Sequence, residues 1–247
     1  MSIKSSTLAV SIIFGLSTVA FVSPSQAALI NFNSWNQVGD VATPSLGQAN
    51  ISSNSLQNDD SPDPDSNFNF SNIPAIDSPN LESTLGLPTQ SLHPDPVNFV
   101  FAFEGSGLEN QYTFTEDTTL TFNWTFLTND QTRNISGFDF DDYAFISLDG
   151  QIQTLASTNN SVSILIPSST NFSREVSGNY LRTFSPGTYS IALGVVDVGS
   201  FDLTSALKIN NAQLSSQQVP ESNSLVGLLI PLGFLSARFL RQNKKNA

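Results

Sequence analysis

The run Thr119–Leu127, TLTFNWTFL, sets Leu120, Phe122, Trp124 and Phe126 at every second position, with Thr121, Asn123 and Thr125 between them. Successive side chains of an extended chain point to opposite faces. The spacing therefore puts four large apolar groups on one side and small polar groups on the other. A strand of this kind has one face in a core and one toward water, as in an antiparallel sheet packed on a second sheet. Downstream, Tyr143–Leu148 turns through Asp149-Gly150 into Gln151–Leu155, a hairpin signal. Val162–Ile166 reads as a strand stopped by Pro167. Asn179–Phe184 turns at Ser185-Pro186-Gly187 into Thr188–Val196, where Tyr189, Ile191, Leu193 and Val195 share a face. Leu203–Ile209 supplies a last strand. Upstream, the apolar run Val97–Phe103 predicts a buried strand, and Ala28–Val41 a first strand with its turn. No segment from Val97 onward carries a helical period over eleven residues, and no repeat of fixed period is present. The expected class is all-β: a jelly-roll-like β-sandwich.

From Ala42 to about Pro96 the composition shifts to Ser, Asn, Asp and Pro, with SPDPD at Ser61–Asp65 and HPDP at His93–Pro96. Proline cannot donate to a ladder, so a long irregular excursion is expected, tied to the core by Phe68, Phe70, Leu81, Leu85 and Leu87. Asp59, Asp60, Asp63 and Asp65 lack the glycine and closing glutamate of an EF-hand loop and read as a solvated acidic segment.

The chain has 247 residues, 19 Phe, no Cys, one His and a formal charge of −12. The absence of Cys excludes disulfides, thiolate metal sites and Cys nucleophiles. Nearly all the acid lies in the middle: 20 of the 21 acidic residues but only four basic ones fall between Ala28 and Gln218. Such a body repels phosphate backbones and anionic headgroups, so nucleic acid is not an expected partner.

Both ends depart from this pattern. Residues 1–27 read as a signal helix: Lys4, an apolar run Leu8–Val22, then Ser25-Gln26-Ala27, with cleavage expected between Ala27 and Ala28. At the other end Val219-Pro220-Glu221-Ser222 precedes an apolar run Leu225–Ala237 and the basic residues Arg238, Arg241, Lys244 and Lys245. Thirteen residues make a helix of roughly 20 Å, short for a hydrocarbon core of about 30 Å, so a temporary rather than permanent span is expected. The basic end keeps to the cytoplasmic side. The organisation is then a leader (1–27), a sandwich (28–214), a polar linker (215–218) and a tail (219–247).

At these residues the chain resembles the PEP-CTERM class of exported bacterial proteins. Those carry a Val-Pro-Glu-Pro-like motif, a short hydrophobic helix and an Arg-rich end; Ser222 stands here where proline is usual. The resemblance implies signal peptidase and an exosortase as processing partners, a passing stay in the inner membrane, and delivery to the cell surface or extracellular matrix. The middle also resembles the sandwich regions that precede such tails in cyanobacterial proteins. Gly39-Asp40-Val41, Glu104-Gly105-Ser106, Phe122–Asp130, Asp141–Gly150 and Gly187–Ser200 carry that likeness across most of Ala28–Leu214. It implies no activity.

Catalytic chemistry finds little support. His93, the only histidine, sits in a proline-rich loop, and no G-x-S-x-G elbow surrounds a serine. Zinc lacks nitrogen and sulfur ligands. Calcium is the ligand best matched by oxygen donors, at Asp139, Asp141 and Asp142 and again at Asp197 and Asp202. The same acids serve equally as turn caps facing water. Trp124 belongs to the core face, which leaves Trp35 as the candidate sugar platform. The expected function is a structural or adhesive envelope protein, not an enzyme. The alternatives are a carbohydrate-binding module, with an extracellular polysaccharide as partner, or a secreted hydrolase. The last requires Glu104 and Asp139–Asp142 to converge in one cleft.

Overall fold

Thr119–Leu127 sits in the middle of a long strand at the centre of one of two antiparallel sheets. A computed structural model describes residues 26–57, 68–130, 133–135, 138–159, 164–199 and 203–216, with backbone alone at 26, 133–135 and 138–140. All fall within one compact unit, Ser25–Gln217. The leader before Gln26, the acidic segment Asp59–Asp65, Asp202 and the whole tail from Val219 lie outside the described residues. In chain order the strands are β1 (Gln26–Leu29), β2 (Asn36–Val38), β3 (Asp40–Ala42), β4 (Ala49–Ser52), β5 (Ile76–Asp77), β6 (Ala102–Phe114), β7 (Thr118–Thr128) and β8 (Arg133–Ile135). They continue with β9 (Phe138–Phe140), β10 (Tyr143–Leu148), β11 (Gln151–Ser157), β12 (Ile166–Pro167), β13 (Arg174–Phe184), β14 (Gly187–Val198) and β15 (Ser205–Ser216). One helix, α1 (Ser78–Thr84), precedes β6.

The first sheet runs β12-β13-β7-β15-β4-β3, with β1 also on β15; the second runs β11-β10-β14-β6-β2, with β5 on β6. β8 and β9 form a separate hairpin. From β6 to β15 the chain crosses repeatedly between the two sheets, so both must form together. Leu120, Phe122, Trp124 and Phe126 of β7 do share the inner face, where they meet Leu108, Ile146, Ile191, Leu193 and Val195 of the second sheet. Each such side chain, fully buried, contributes about 1.5–3 kcal/mol.

The second sheet is also covered on its outer face. Asp77 caps α1 by accepting from the Asn80 N–H (2.9 Å), and Pro79 fits the first turn, where its missing N–H removes no bond. Leu81 and Leu85, one turn apart, then point at the sheet beside Leu87 and Leu92, against Phe145, Val196 and Val198. Gly105 of β6 makes the close approach possible: a Cβ there would collide with the Val195 carbonyl oxygen and press on Leu81. β14 is thus buried on both faces, which explains the near-continuous apolar run Ile191–Val198.

The structure departs from the expected elements in four places. Of the expected strand Val162–Ile166, Ile164 and Leu165 are in no strand, and β12 is Ile166–Pro167, with Pro167 inside it rather than stopping it. Val97–Phe103 is not a buried strand. Pro96–Asn98 is a 3-10 turn, Phe99 adopts φ 64°, and Val97 and Phe99 are 83% and 76% exposed. Two prolines within three residues force the turn, and β6 starts only at Ala102. The excursion 42–96 is less irregular than its composition, since it holds β4, β5 and α1. Finally, the last strand does not stop at Ile209, and the expected linker from Ser215 begins inside it. Asn211–Ser216 completes β15, with Gln213–Ser216 paired to both β1 and β7, so Ser215 and Ser216 belong to the sandwich.

Candidate functional site

Asp141 and Asp142, just before β10, go to opposite sides. Ala144, Ile146 and Leu148 face the inter-sheet core, and Tyr143 and Phe145 face outward under α1. Asp142, on the inner side, is buried. Its Oδ1 accepts from the Val198 N–H (3.0 Å) and its Oδ2 from the Ser205 hydroxyl (2.6 Å). Asp197 of β14 is also on the inner side and accepts from the Ser53 hydroxyl (2.8 Å). Its second oxygen is buried with no N–H or O–H donor among the described residues. Glu104, opposite Asp197 in the β6–β14 ladder, is buried as well.

Burial, with the charge of Asp130 added, pushes the Asp142 carboxyl up to about 7. Burial drives Asp197 well above the usual carboxylate range, helped by the charge of Asp142, the hydrogen bond between them and the charge of Glu104. A proton held by Asp197 and shared with Asp142 supplies the donor that the geometry otherwise lacks.

Asp40 forms a second buried knot. Its carboxylate accepts from the Ser52 hydroxyl, the Phe70 N–H (2.8 Å), and the N–H and hydroxyl of Ser71 (both 2.7 Å). Burial raises its pKa and these bonds oppose the rise. The carboxylate thereby ties the loop around Phe70 to β3.

These acids are structural in their surroundings. Among the described residues no three His, Cys, Asp or Glu are arranged to hold a metal ion. Asp142 and Asp197, expected as calcium ligands, are instead seen as two buried carboxyls that accept from the Ser205 and Ser53 hydroxyls and bond to each other. Asp139 has only its backbone described, and Asp202 none. Glu104 and Asp142 each neighbour Asp197, and both are buried rather than in an open cleft. Trp35 is corrected too. It is 5% exposed, packs edge-on to Phe32 and Tyr112, and donates its indole N–H to the Tyr112 hydroxyl, so it offers no face to a sugar. Trp124 is core, as expected.

Asp141 has a different fate. It lines an open cleft of about 420 Å³ on the outer side of the second sheet. Ser91, His93 and Pro94 form one wall, Asp141 precedes β10, Tyr143 begins it, and Ile152, Thr154 and Ser157 come from β11. Tyr143 anchors the wall by donating to the Leu92 carbonyl oxygen (2.6 Å). Nδ1 of His93 accepts from the Ala102 N–H (3.1 Å), which in a neutral imidazole puts the ring proton on Nε2. The His93 ring is braced edge-to-face by Phe101 at 5.1 Å, and Phe101 in turn meets Phe99 at 6.2 Å. Sequence reasoning singled out Asp141 but not its partners. The gap of nearly fifty residues between His93 and Asp141 hides a juxtaposition that only sheet pairing creates.

Fold and site together define a two-sheet antiparallel β-sandwich with an open polar cleft. No family model and no curated protein matches the chain. Among solved structures, it is similar to a Paenibacillus sp. cycloisomaltooligosaccharide glucanotransferase complexed with cycloisomaltoheptaose, at 17% identity and a TM-score of 0.22. The match covers 48% of this chain and 14% of that one, too little to carry an argument about ligand or activity.

Proposed function

We propose that this chain is an exported, non-catalytic envelope protein with a structural or adhesive role at the cell surface or in the matrix. Signal peptidase and an exosortase would process its two ends. The observation that carries this reading is the pairing of β1 with β15, which sets Gln26 opposite Ser216. The chain enters and leaves the sandwich at neighbouring points, so a leader and a tail can both be attached to, or cut from, one edge of a finished body. A cut near Glu221 leaves β15 whole. A cut after Ala27 leaves Ala28 and Leu29 still paired with Leu214 and Gln213. The strand order supports a jelly-roll reading: β13-β7-β15-β4 in one sheet and β11-β10-β14-β6 in the other interleave as two Greek keys do. The test is the mass of the mature form recovered from its host's surface. Ends at Ala28 and within Val219–Ser222 are expected. A surface form that retains residues 225–247, or a chain never exported, would overturn the reading.

A second reading, a carbohydrate-binding module, is favoured by the cleft beside His93 and no longer by Trp35.

A further inference from the structure

The cleft sets polar groups around an opening large enough for a small ligand; among them Asp141 already accepts from the Thr158 hydroxyl at one oxygen (3.2 Å), and a carboxylate has acceptor capacity beyond that. Its volume of about 420 Å³ lies within the range of ligand clefts, about 300–1,000 Å³. The chemistry of its walls narrows the ligand. Among the described residues no Lys or Arg lines it, and the carboxylate of Asp141 does, so these walls disfavour phosphates and acidic groups. Thr154 and Ser157 offer hydroxyls, which donate and accept equally. Ser91 also lines the wall, but its hydroxyl oxygen is buried out of a ligand's reach. The Nε2–H of His93 is fixed as a donor by the bond to Nδ1. Between these polar groups lie the apolar surfaces of Pro94 and Ile152. Interleaved hydroxyl-sized polar groups and small apolar faces fit a ligand that itself alternates O–H and C–H groups.

The margin carries a further sign. Phe99 is 76% exposed and held at φ 64°, a region that bulky side chains rarely adopt. The edge-to-face contacts from His93 through Phe101 to Phe99 lead from the cleft wall to this exposed ring. Both the exposure and the backbone strain are unfavourable to folding, and strain of this sort gathers at binding sites.

We propose that the cleft binds sugar residues of an uncharged polysaccharide, with Asp141 accepting from sugar hydroxyls, His93 donating, and Phe99 stacking on the next ring outward. The inference deepens the carbohydrate-binding reading and rests on it; it is independent of how the ends are processed.

The experiment titrates the full chain with maltose and with cellobiose by saturation-transfer NMR, and runs it in gels containing a neutral glucan or, separately, alginate. Weak binding is expected to at least one neutral sugar, with Kd on the order of 1 mM, together with retardation by the glucan. Asp141→Asn and Thr154→Trp, the second of which fills the cleft from an exposed position, are each expected to weaken binding at least about tenfold, or 1.4 kcal/mol. Phe99→Ala is expected to lessen retardation by the glucan while leaving the disaccharides unaffected. Thermal melts of the three variants establish that each is folded. If no neutral sugar binds, the carbohydrate-binding reading fails. If sugar binds and folded Asp141→Asn and Thr154→Trp bind equally well, the cleft is the wrong site. Retention by alginate alone overturns the neutral ligand. None of these outcomes bears on the mass of the mature form.

Discussion

Asp141 and Asp142 are chemically identical neighbours with opposite surroundings, because the extended chain leading into β10 turns them to opposite sides. Asp141 stands at an open cleft, and Asp142 is sealed against Asp197. The sealed pair makes stability depend on pH in a direction that can be derived. Both carboxyls have raised pKa values in the folded chain, so the folded state keeps protons that the unfolded state has lost. The stability this pair contributes is fully present below the ordinary Asp value near 4. It is lost as pH rises from there, the part carried by Asp142 by about pH 7, at about 1.4 kcal/mol per pH unit for each proton involved. The melting temperature is therefore expected to fall between pH 5 and pH 8. Asp197→Asn places a permanent N–H donor beside Asp142, so it is expected to flatten the slope and raise the melting temperature at pH 8. A slope equal to that of the parent chain would show that the pair is not the titrating element. The acids themselves were legible in the sequence. Their sorting into sealed and open was not, because the two are adjacent and only the register of β10 against β14 assigns each a side. Asp40 is a plainer case: a lone Asp between Val38 and Val41 carries no local sign of the four donors that converge on it.

Among the elements, α1 and β6 show where a local pattern misleads. Val97–Phe103 has the composition of a buried strand, yet Pro94 and Pro96 bend it into a turn, and the real strand holds Gly105 and Gly107, which propensity disfavours. Those glycines are selected by the helix lying over them. Gly105→Ala is expected to cost about 1–3 kcal/mol in a denaturant melt, since the Val195 carbonyl oxygen cannot retreat without breaking the ladder. Leu81→Ala removes a fully buried side chain beneath seven residues of helix and is expected to cost about 2–5 kcal/mol. A loss below about 0.5 kcal/mol would show that α1 is a loosely attached cover rather than part of the core. The elements that did match expectation, β7, β10 and β14, are those in which one face meets the opposite sheet. There the period-two pattern is imposed directly by burial.

For the molecule as a whole, β15 is the element on which the sandwich closes. It lies between β7 on one side and β4 and β1 on the other. A chain ending after Ile209 loses the pairs of Asn210–Ser216 and is expected to lack cooperative unfolding by circular dichroism. A chain ending after Gln217 is expected to melt as the full chain does. If the shorter chain melted normally, the join between body and tail would have to be moved back toward Asn211. The sequence by itself determined the class of the fold, the strands with one buried face and the acidic middle, because each is written in local composition or in a two-residue period. The tertiary structure alone decided that polar Asn211–Ser216 is a central strand, that Trp35 is core, and that His93 and Asp141 share a cleft. Those outcomes depend on which distant segments lie side by side, and strand pairing between remote residues leaves no mark in either segment alone.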